Sequence, residues 1–307
     1  MIKLEKYTKE FEEEYWEVVN AKIPFVVQRE IEESWKKFFP LKYCEGEDKL
    51  SFKEFILADF SILKEIQEYI KKNTKKQMNE VCFKNEVGKR KSAYPYNELF
   101  AAYKNIADRC TEKERIRVKI IRNSGLTVCP YCNRNYINCR GKKVSGGELD
   151  HFYNKSNYPV FTLCLYNLIP SCSICNRNKS NMDKEFISPF DSSVDWEEEI
   201  TFSYKFTKLD SLKLILDSSD RFNNNIRELK IREAYEINDI EVKELLDKMQ
   251  IYSITQIKEF SKVLRDMKLT DMDIKYAVFG AEIMPENMKT KPLGKMYRDL
   301  HKKLGIY

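Results

Sequence analysis

Between residues 129 and 176 the chain carries donors of two chemically distinct kinds. Cys129 and Cys132 form one Cys-x-x-Cys pair, and Cys172 and Cys175 form a second. Two such turns offer four sulfurs to one ion at about 2.3 Å in a tetrahedral site. A site filled by four thiolates keeps no position for water, so a zinc ion there would be structural. Asp150 and His151 stand between the pairs, and Asn176 directly follows the second. A carboxylate and an amide carbonyl are hard oxygen donors, suited to Mg2+ or Mn2+ and not to a thiolate-bound ion. An imidazole with a reference pKa of about 6.5 can take a proton from water near neutrality.

That set meets the needs of water attack on a phosphodiester. His151 would act as base, and a metal on Asp150 and Asn176 would bind the scissile phosphate and stabilise the leaving 3′-oxygen. These groups converge only if the two cysteine turns fold against each other, which links the staple to the chemistry. The competing reading is a non-catalytic zinc module that binds nucleic acid or a protein partner. A thiol redox protein is disfavoured, because the cysteine pair is duplicated and no thioredoxin-like βαβ pattern accompanies it.

The elements that must hold these residues are mostly helical. Residues 6–20 and 51–72 carry apolar residues at helical spacing, including Phe52, Phe55, Ile56, Phe60, Leu63, Ile66 and Ile70. A further amphipathic pattern runs from Asn97 to Ile121 and stops at Asn123-Ser124-Gly125. Tyr136 and Ile137, the break at Arg140-Gly141-Lys142 and the pair Gly146-Gly147 suggest a short bent hairpin before Asp150. A short helix follows Cys175. Residues 200–206 and 212–217 read as a small hairpin, and helical patterning returns from Ile226 to a basic helix near Met296–Leu304. The expected class is α+β, mostly α, with a compact ββα unit at its centre.

The chain has 307 residues, 42% of them hydrophobic and 33% charged, with a net charge of +6. That balance fits a soluble, helix-rich protein and is compatible with nucleic-acid binding without diagnosing it. Lysines and arginines crowd residues 71–92, as a basic surface or a solvated linker would. The charged start MIKLEKYTKEFEEEYW has no apolar signal core, and no run approaches a membrane span, so a cytoplasmic location with reduced thiols is expected. Cys44, Cys82, Cys110, Cys139 and Cys164 lack partners at short spacing and read as small core residues. His301, on the basic C-terminal helix, reads as a surface residue. Tyr131, Tyr136, Phe152 and Tyr153 fit either base stacking or a small core, with the core favoured for at least half of them.

Cys129-Pro130-Tyr131-Cys132, Leu149-Asp150-His151, Asn167-Leu168-Ile169-Pro170 and Cys172-Ser173-Ile174-Cys175-Asn176-Arg177-Asn178-Lys179 together resemble the HNH endonuclease family and its ββα-metal fold. The likeness covers roughly residues 127–182. It implies His151 as general base, Asp150 and Asn176 as ligands of a catalytic Mg2+ or Mn2+, and Asn167 as the residue that braces the loop and orients the histidine. The third family position is often His, with Asn a common form. Arg177, Lys179 and Lys155 stand where cations could contact phosphate. Domain expectations follow: a helical N-terminal region with a basic linker over 1–92, an HNH nuclease domain with its four-cysteine zinc site over 93–190, and a hairpin plus helices over 191–307. The layout resembles the nuclease subunit of Septu-type bacterial anti-phage systems, which implies DNA as substrate, RNA remaining open, and a P-loop, SMC-like ATPase as partner. The chain itself has no G-x-x-x-x-G-K-S/T phosphate loop.

Overall fold

Apolar stripes at helical spacing assemble the N-terminal third in a computed structural model. The structure describes residues 1–84, 88–108, 114–208, 211–263 and 269–307, with the backbone alone at Phe83, Lys84, Ala107, Asp108, Lys208 and Ile254. Helix α1 (Lys9–Asn20) is capped by Thr8, whose hydroxyl accepts the Phe11 N–H, and it buries Phe11, Tyr15 and Val19 along one face. Helix α2 (Phe25–Trp35) buries Val27, Ile31 and Trp35.

The single helix expected over 51–72 is broken. A capping box at Ser51 and Glu54 opens α3 (Phe52–Ile56), and Asp59 precedes α4 (Phe60–Tyr69). The break lets two aromatic faces point to different partners. Phe55 packs on Trp35 and Phe39 with centroids 4.8 and 5.2 Å away, whereas Phe60 packs on Phe152 and Tyr153 at 5.2 and 5.8 Å. A π-helical turn (Ile70–Thr74) leads into α5 (Lys75–Glu80), then strands β1 (Cys82–Lys84) and β2 (Arg90–Ser92) pair antiparallel. The basic stretch is partly neutralised: Lys71 pairs with Glu185 at 2.5 Å and Lys75 with Asp183 at 2.9 Å.

The long amphipathic pattern resolves into α6 (Tyr96–Asp108) and α7 (Ile116–Asn123), with residues 109–113, including Cys110, outside the described residues. Helix α7 ends where expected, and Gly125 adopts a left-handed φ of 68° just beyond it. Strand pairing in the centre differs from expectation. Tyr136 bridges Val128 and Arg140 bridges Val144, but strand β3 (Glu148–His151) pairs antiparallel with β4 (Leu168–Ser171), placing Asp150 opposite Ile169 and His151 opposite Leu168. Strand β4 is buried throughout, so its apolar face captures β3. Gly146 and Gly147 serve close passage instead of a turn: a Cβ on Gly146 would lie 2.0 Å from the Asn138 carbonyl oxygen. Helix α8 (Ser173–Lys179) follows β4 directly and packs on β3, giving the ββα succession.

Strands β5 (Ile200–Lys208) and β6 (Ser211–Ser218) form the expected hairpin. Helices α9 (Asn223–Glu228), α10 (Ile231–Tyr235), α11 (Asp239–Ile251), α12 (Ile254–Val263), α13 (Asp271–Phe279) and α14 (Gly294–Leu304) complete the α+β chain. The three stretches share one buried cluster, running from Leu4 and Phe11 through Ile169 to Leu300. N-terminal side chains reach the central loop directly: Tyr15 donates to the Leu163 carbonyl at 2.7 Å, and Tyr166 donates to Glu12 at 2.7 Å. Cys44 and Cys164 are core residues as expected, whereas Cys82 and Cys139 are half-buried. Among the described residues no helix is long and apolar enough to cross a membrane.

Candidate active site beside a four-cysteine cluster

The sulfurs of Cys129, Cys132, Cys172 and Cys175 all lie within 4.8 Å of one another, and all four residues are buried. A tetrahedron of thiolates around zinc has sulfurs about 3.8 Å apart. The cluster can therefore hold a zinc ion. The first turn closes through the Asn133 N–H to the Cys129 carbonyl (2.8 Å), with Asn133 at φ 51°, a left-handed angle that asparagine tolerates. In the second, Cys172 caps α8 and its sulfur accepts the Cys175 N–H at 3.5 Å and the Asn135 amide at 3.3 Å. Neighbouring thiols, Cys129 first, pull the Cys172 pKa down, while the same neighbours push Cys175 up. Burial, more than any neighbour, pushes Cys129 up. Such a cluster cannot carry four negative charges unaided, and a shared dication would supply the compensation.

At the end of β3 the His151 ring is held from several sides. Its Nε2 lies 3.0 Å from the Thr162 carbonyl oxygen. A carbonyl only accepts, so Nε2 carries the proton and Nδ1 keeps its lone pair. Tyr103 of α6 meets the imidazole edge-on at 4.5 Å, and the Lys155 ammonium sits 4.8 Å over the Tyr103 ring. Burial first, then the Lys155 ammonium, pushes the His151 pKa down to about 3, with the Thr162 carbonyl pulling the other way. Asn167 organises the loop that carries Thr162. Its Oδ1 accepts the Tyr153 N–H at 2.7 Å, and its Nδ2 donates to the Phe161 and Tyr153 carbonyls at 3.0 and 3.2 Å.

Strand alternation places Glu148 and Asp150 on one face of β3, toward α8, and His151 on the other. Asn176 Nδ2 donates to Glu148 Oε2 at 2.6 Å. Asp150 is 3% exposed, and its Oδ2 accepts the Tyr131 hydroxyl at 2.6 Å. Lys179 Nζ completes that pair, lying 3.2 Å from Asp150 Oδ1 and donating to the His151 and Phe152 carbonyls at 3.1 and 2.8 Å. The structure thus brings Asp150 and Asn176 to one strand–helix seam, with His151 around the strand's end.

Lys179 requires a correction. It is 2% exposed with its donors directed inward, so it ties α8 to β3 and is not placed to meet a phosphate. Arg177 is exposed on α8, and Lys155 is half-buried over Phe100 and Tyr103. Tyr131, Phe152 and most of Tyr153 belong to the core, whereas Tyr136 is 62% exposed. Cutting the Lys179 tie while leaving Asp150 charged should cost about 3–5 kcal/mol. Urea unfolding of Lys179→Met is expected to show that loss, with part of it recovered in Lys179→Met/Asp150→Asn. A loss below about 1 kcal/mol would contradict the role.

His301 also departs from expectation. It is 3% exposed, packed between Tyr297 and Tyr307, and neither ring nitrogen has a hydrogen-bond partner among the described residues. Burial first, then Lys291, pushes its pKa down to about 4. The unfolded imidazole takes a proton near pH 6.5, before the folded one does, so this contribution to stability is whole above 6.5 and is lost as pH falls toward 4. Each depressed histidine adds up to about 1.4 kcal/mol per pH unit to that slope. His301→Leu should flatten the fall in urea midpoint between pH 6.5 and 4.5; an unchanged slope would contradict the assignment.

Sequence reasoning missed Glu148, Tyr103 and Thr162, and it read Tyr131 as a stacking or core residue without its bond to Asp150. Glu148 carried a signal, since two residues before Asp150 on a strand is the same face. Tyr103 and the Thr162 carbonyl carried none, because both act through tertiary packing. No protein-family model, no curated protein and no solved structure matches the chain.

Proposed function

We propose that the protein is a metal-dependent endonuclease of HNH type that hydrolyses phosphodiester bonds of DNA. The observation that carries this reading is the His151 imidazole, fixed by the Thr162 carbonyl with Nδ1 left as acceptor, beside a strand–helix seam bearing oxygen donors. The resemblance points to Asp150 and Asn176, which meet on that seam, as the residues that would hold Mg2+ or Mn2+. Hard carboxylate and amide oxygens suit such an ion, although Asp150 enters the seam already partnered by Lys179 and Tyr131. When bound, that ion neutralises charge on the phosphate and on the leaving oxygen.

The chain's own residues supply the rest. Nδ1 of His151 takes the proton of the attacking water while the Thr162 carbonyl holds Nε2–H and hence the tautomer. A buried imidazole pushed down to about 3 stays neutral across the physiological range, so the base form is always present. Its weak basicity is offset when an anionic phosphate approaches, which favours the protonated ring. Asn167 positions the loop, and exposed Arg177 meets the phosphate backbone.

The buried Asp150–Lys179 pair gives weight to a second reading, a non-catalytic zinc module, because it shows Asp150 serving structure. Analysis of product ends separates the two. The nuclease yields 5′-phosphate and 3′-hydroxyl ends that a ligase reseals, on DNA or, in a parallel arm, on RNA. Intact strands favour the binding module. As the resemblance implies, we place the protein in the cytoplasm as an anti-phage effector with a P-loop, SMC-like ATPase partner. Affinity purification from the native host should recover such an ATPase, and its repeated absence would contradict the pairing.

A further inference from the structure

We infer that Glu148 is a direct ligand of the divalent ion on this seam, supplying the uncompensated charge that Asp150 does not. The inference rests on the nuclease reading for the presence of the ion and goes beyond it in assigning the ligand. Glu148 and Asp150 share one face of β3, yet their surroundings differ. The Asp150 carboxylate is buried, with the Lys179 ammonium 3.1 Å from one oxygen and the Tyr131 hydroxyl 2.6 Å away, so its charge is already met. Glu148 is only half-buried, and among the described residues no cation lies within ion-pair distance.

Its side-chain partner is Asn176, whose Nδ2 donates at 2.6 Å. That bond sets the amide beside the carboxylate and leaves the amide carbonyl oxygen free of it. A half-exposed carboxylate and an amide oxygen held together across a strand–helix seam form a hard donor pair open to a hydrated ion. A dication gains more from an uncompensated carboxylate than from one sharing its charge with an ammonium. Asp150 then serves as a positioning residue: through Lys179 it fixes the His151 and Phe152 carbonyls, and through Tyr131 it joins the first cysteine turn.

The test is Mn2+ binding to the full, zinc-loaded chain, read by the electron paramagnetic resonance signal of free Mn2+, with melting temperature followed in parallel. Glu148→Gln keeps the shape and can still accept from Asn176. It is expected to weaken Mn2+ binding by at least about tenfold with little change in melting temperature. Asp150→Asn is expected to lower the melting temperature while retaining most of the Mn2+ affinity. Mn2+ affinity within twofold of wild type in Glu148→Gln, or no Mn2+ binding by the wild type, overturns the assignment. The two readings fail separately. Wild-type cleavage with unaltered Mn2+ binding in Glu148→Gln removes only this inference; Mn2+ held through Glu148 without cleavage of any nucleic acid removes only the nuclease reading.

Discussion

Replacing His151 by alanine should abolish cleavage and leave the fold standing. Loss of a positioned general base costs about 10²–10⁴-fold in rate, and no second imidazole can substitute. The other histidine, His301, is packed against Tyr297 and Tyr307 on the C-terminal helix. The structural cost should be modest, because the Asp150, Lys179 and Asn167 ties do not pass through the ring. Among the described residues the His151 side chain makes the bond to the Thr162 carbonyl and the edge contact with Tyr103. The measurement is the single-turnover rate on plasmid, with circular dichroism and zinc content as controls. An unchanged rate in a folded, zinc-loaded variant would reject the mechanism, and a variant lacking zinc would show that the ring is structural.

Removing zinc should have a second large effect, and it should reach far beyond the cysteines. The first cysteine turn is a docking point for the C-terminal third. Asn133 donates to the Met288 and Lys291 carbonyls at 3.0 and 3.2 Å, accepts the Lys295 N–H at 2.8 Å, and its carbonyl accepts the Leu293 N–H at 2.6 Å. Tyr235 of α10 donates to the Cys132 carbonyl at 2.8 Å. The second turn starts α8, which carries Asn176 and Lys179. Structural zinc contributes about 10–16 kcal/mol in small fingers, so loss of a zinc held here would untie both α8 and the start of α14. Titration with a mercurial, with released zinc followed by a colorimetric chelator, should make residues 223–307 the first targets of limited proteolysis. Proteolysis unchanged after release of one zinc per chain would contradict the staple.

The four-cysteine cluster, and the strand and helix that bring Asp150 and Asn176 to one seam, were legible in the sequence because their logic is local. A Cys-x-x-Cys turn is closed by neighbouring backbone bonds, and adjacent Asp150 and His151 announce a strand end. The hairpin at 200–206 and 212–217 was equally readable from alternation. What escaped depends on contacts distant in sequence. Strand β3 pairs with β4, not with the nearer segment around Tyr136, because β4 is buried on both faces. Lys179 looked like a phosphate contact because, by the resemblance, it follows the asparagine expected to bind the catalytic metal, where a cation could meet phosphate. Only the fold shows Asp150 and two carbonyls waiting for its ammonium. The break at residues 57–59 likewise follows from where Phe55 and Phe60 must pack, which helical periodicity alone does not encode.

The most direct test uses one preparation of the full chain with its zinc bound, supercoiled plasmid, and Mg2+ or Mn2+. The expected result is conversion to nicked and linear forms that stops when the exchangeable ion is chelated and is absent in the His151→Ala protein. Plasmid left intact by the zinc-loaded wild type under both ions, or cut equally well by the alanine variant, would contradict the reading that a sulfur-bound ion holds a hydrolytic site together.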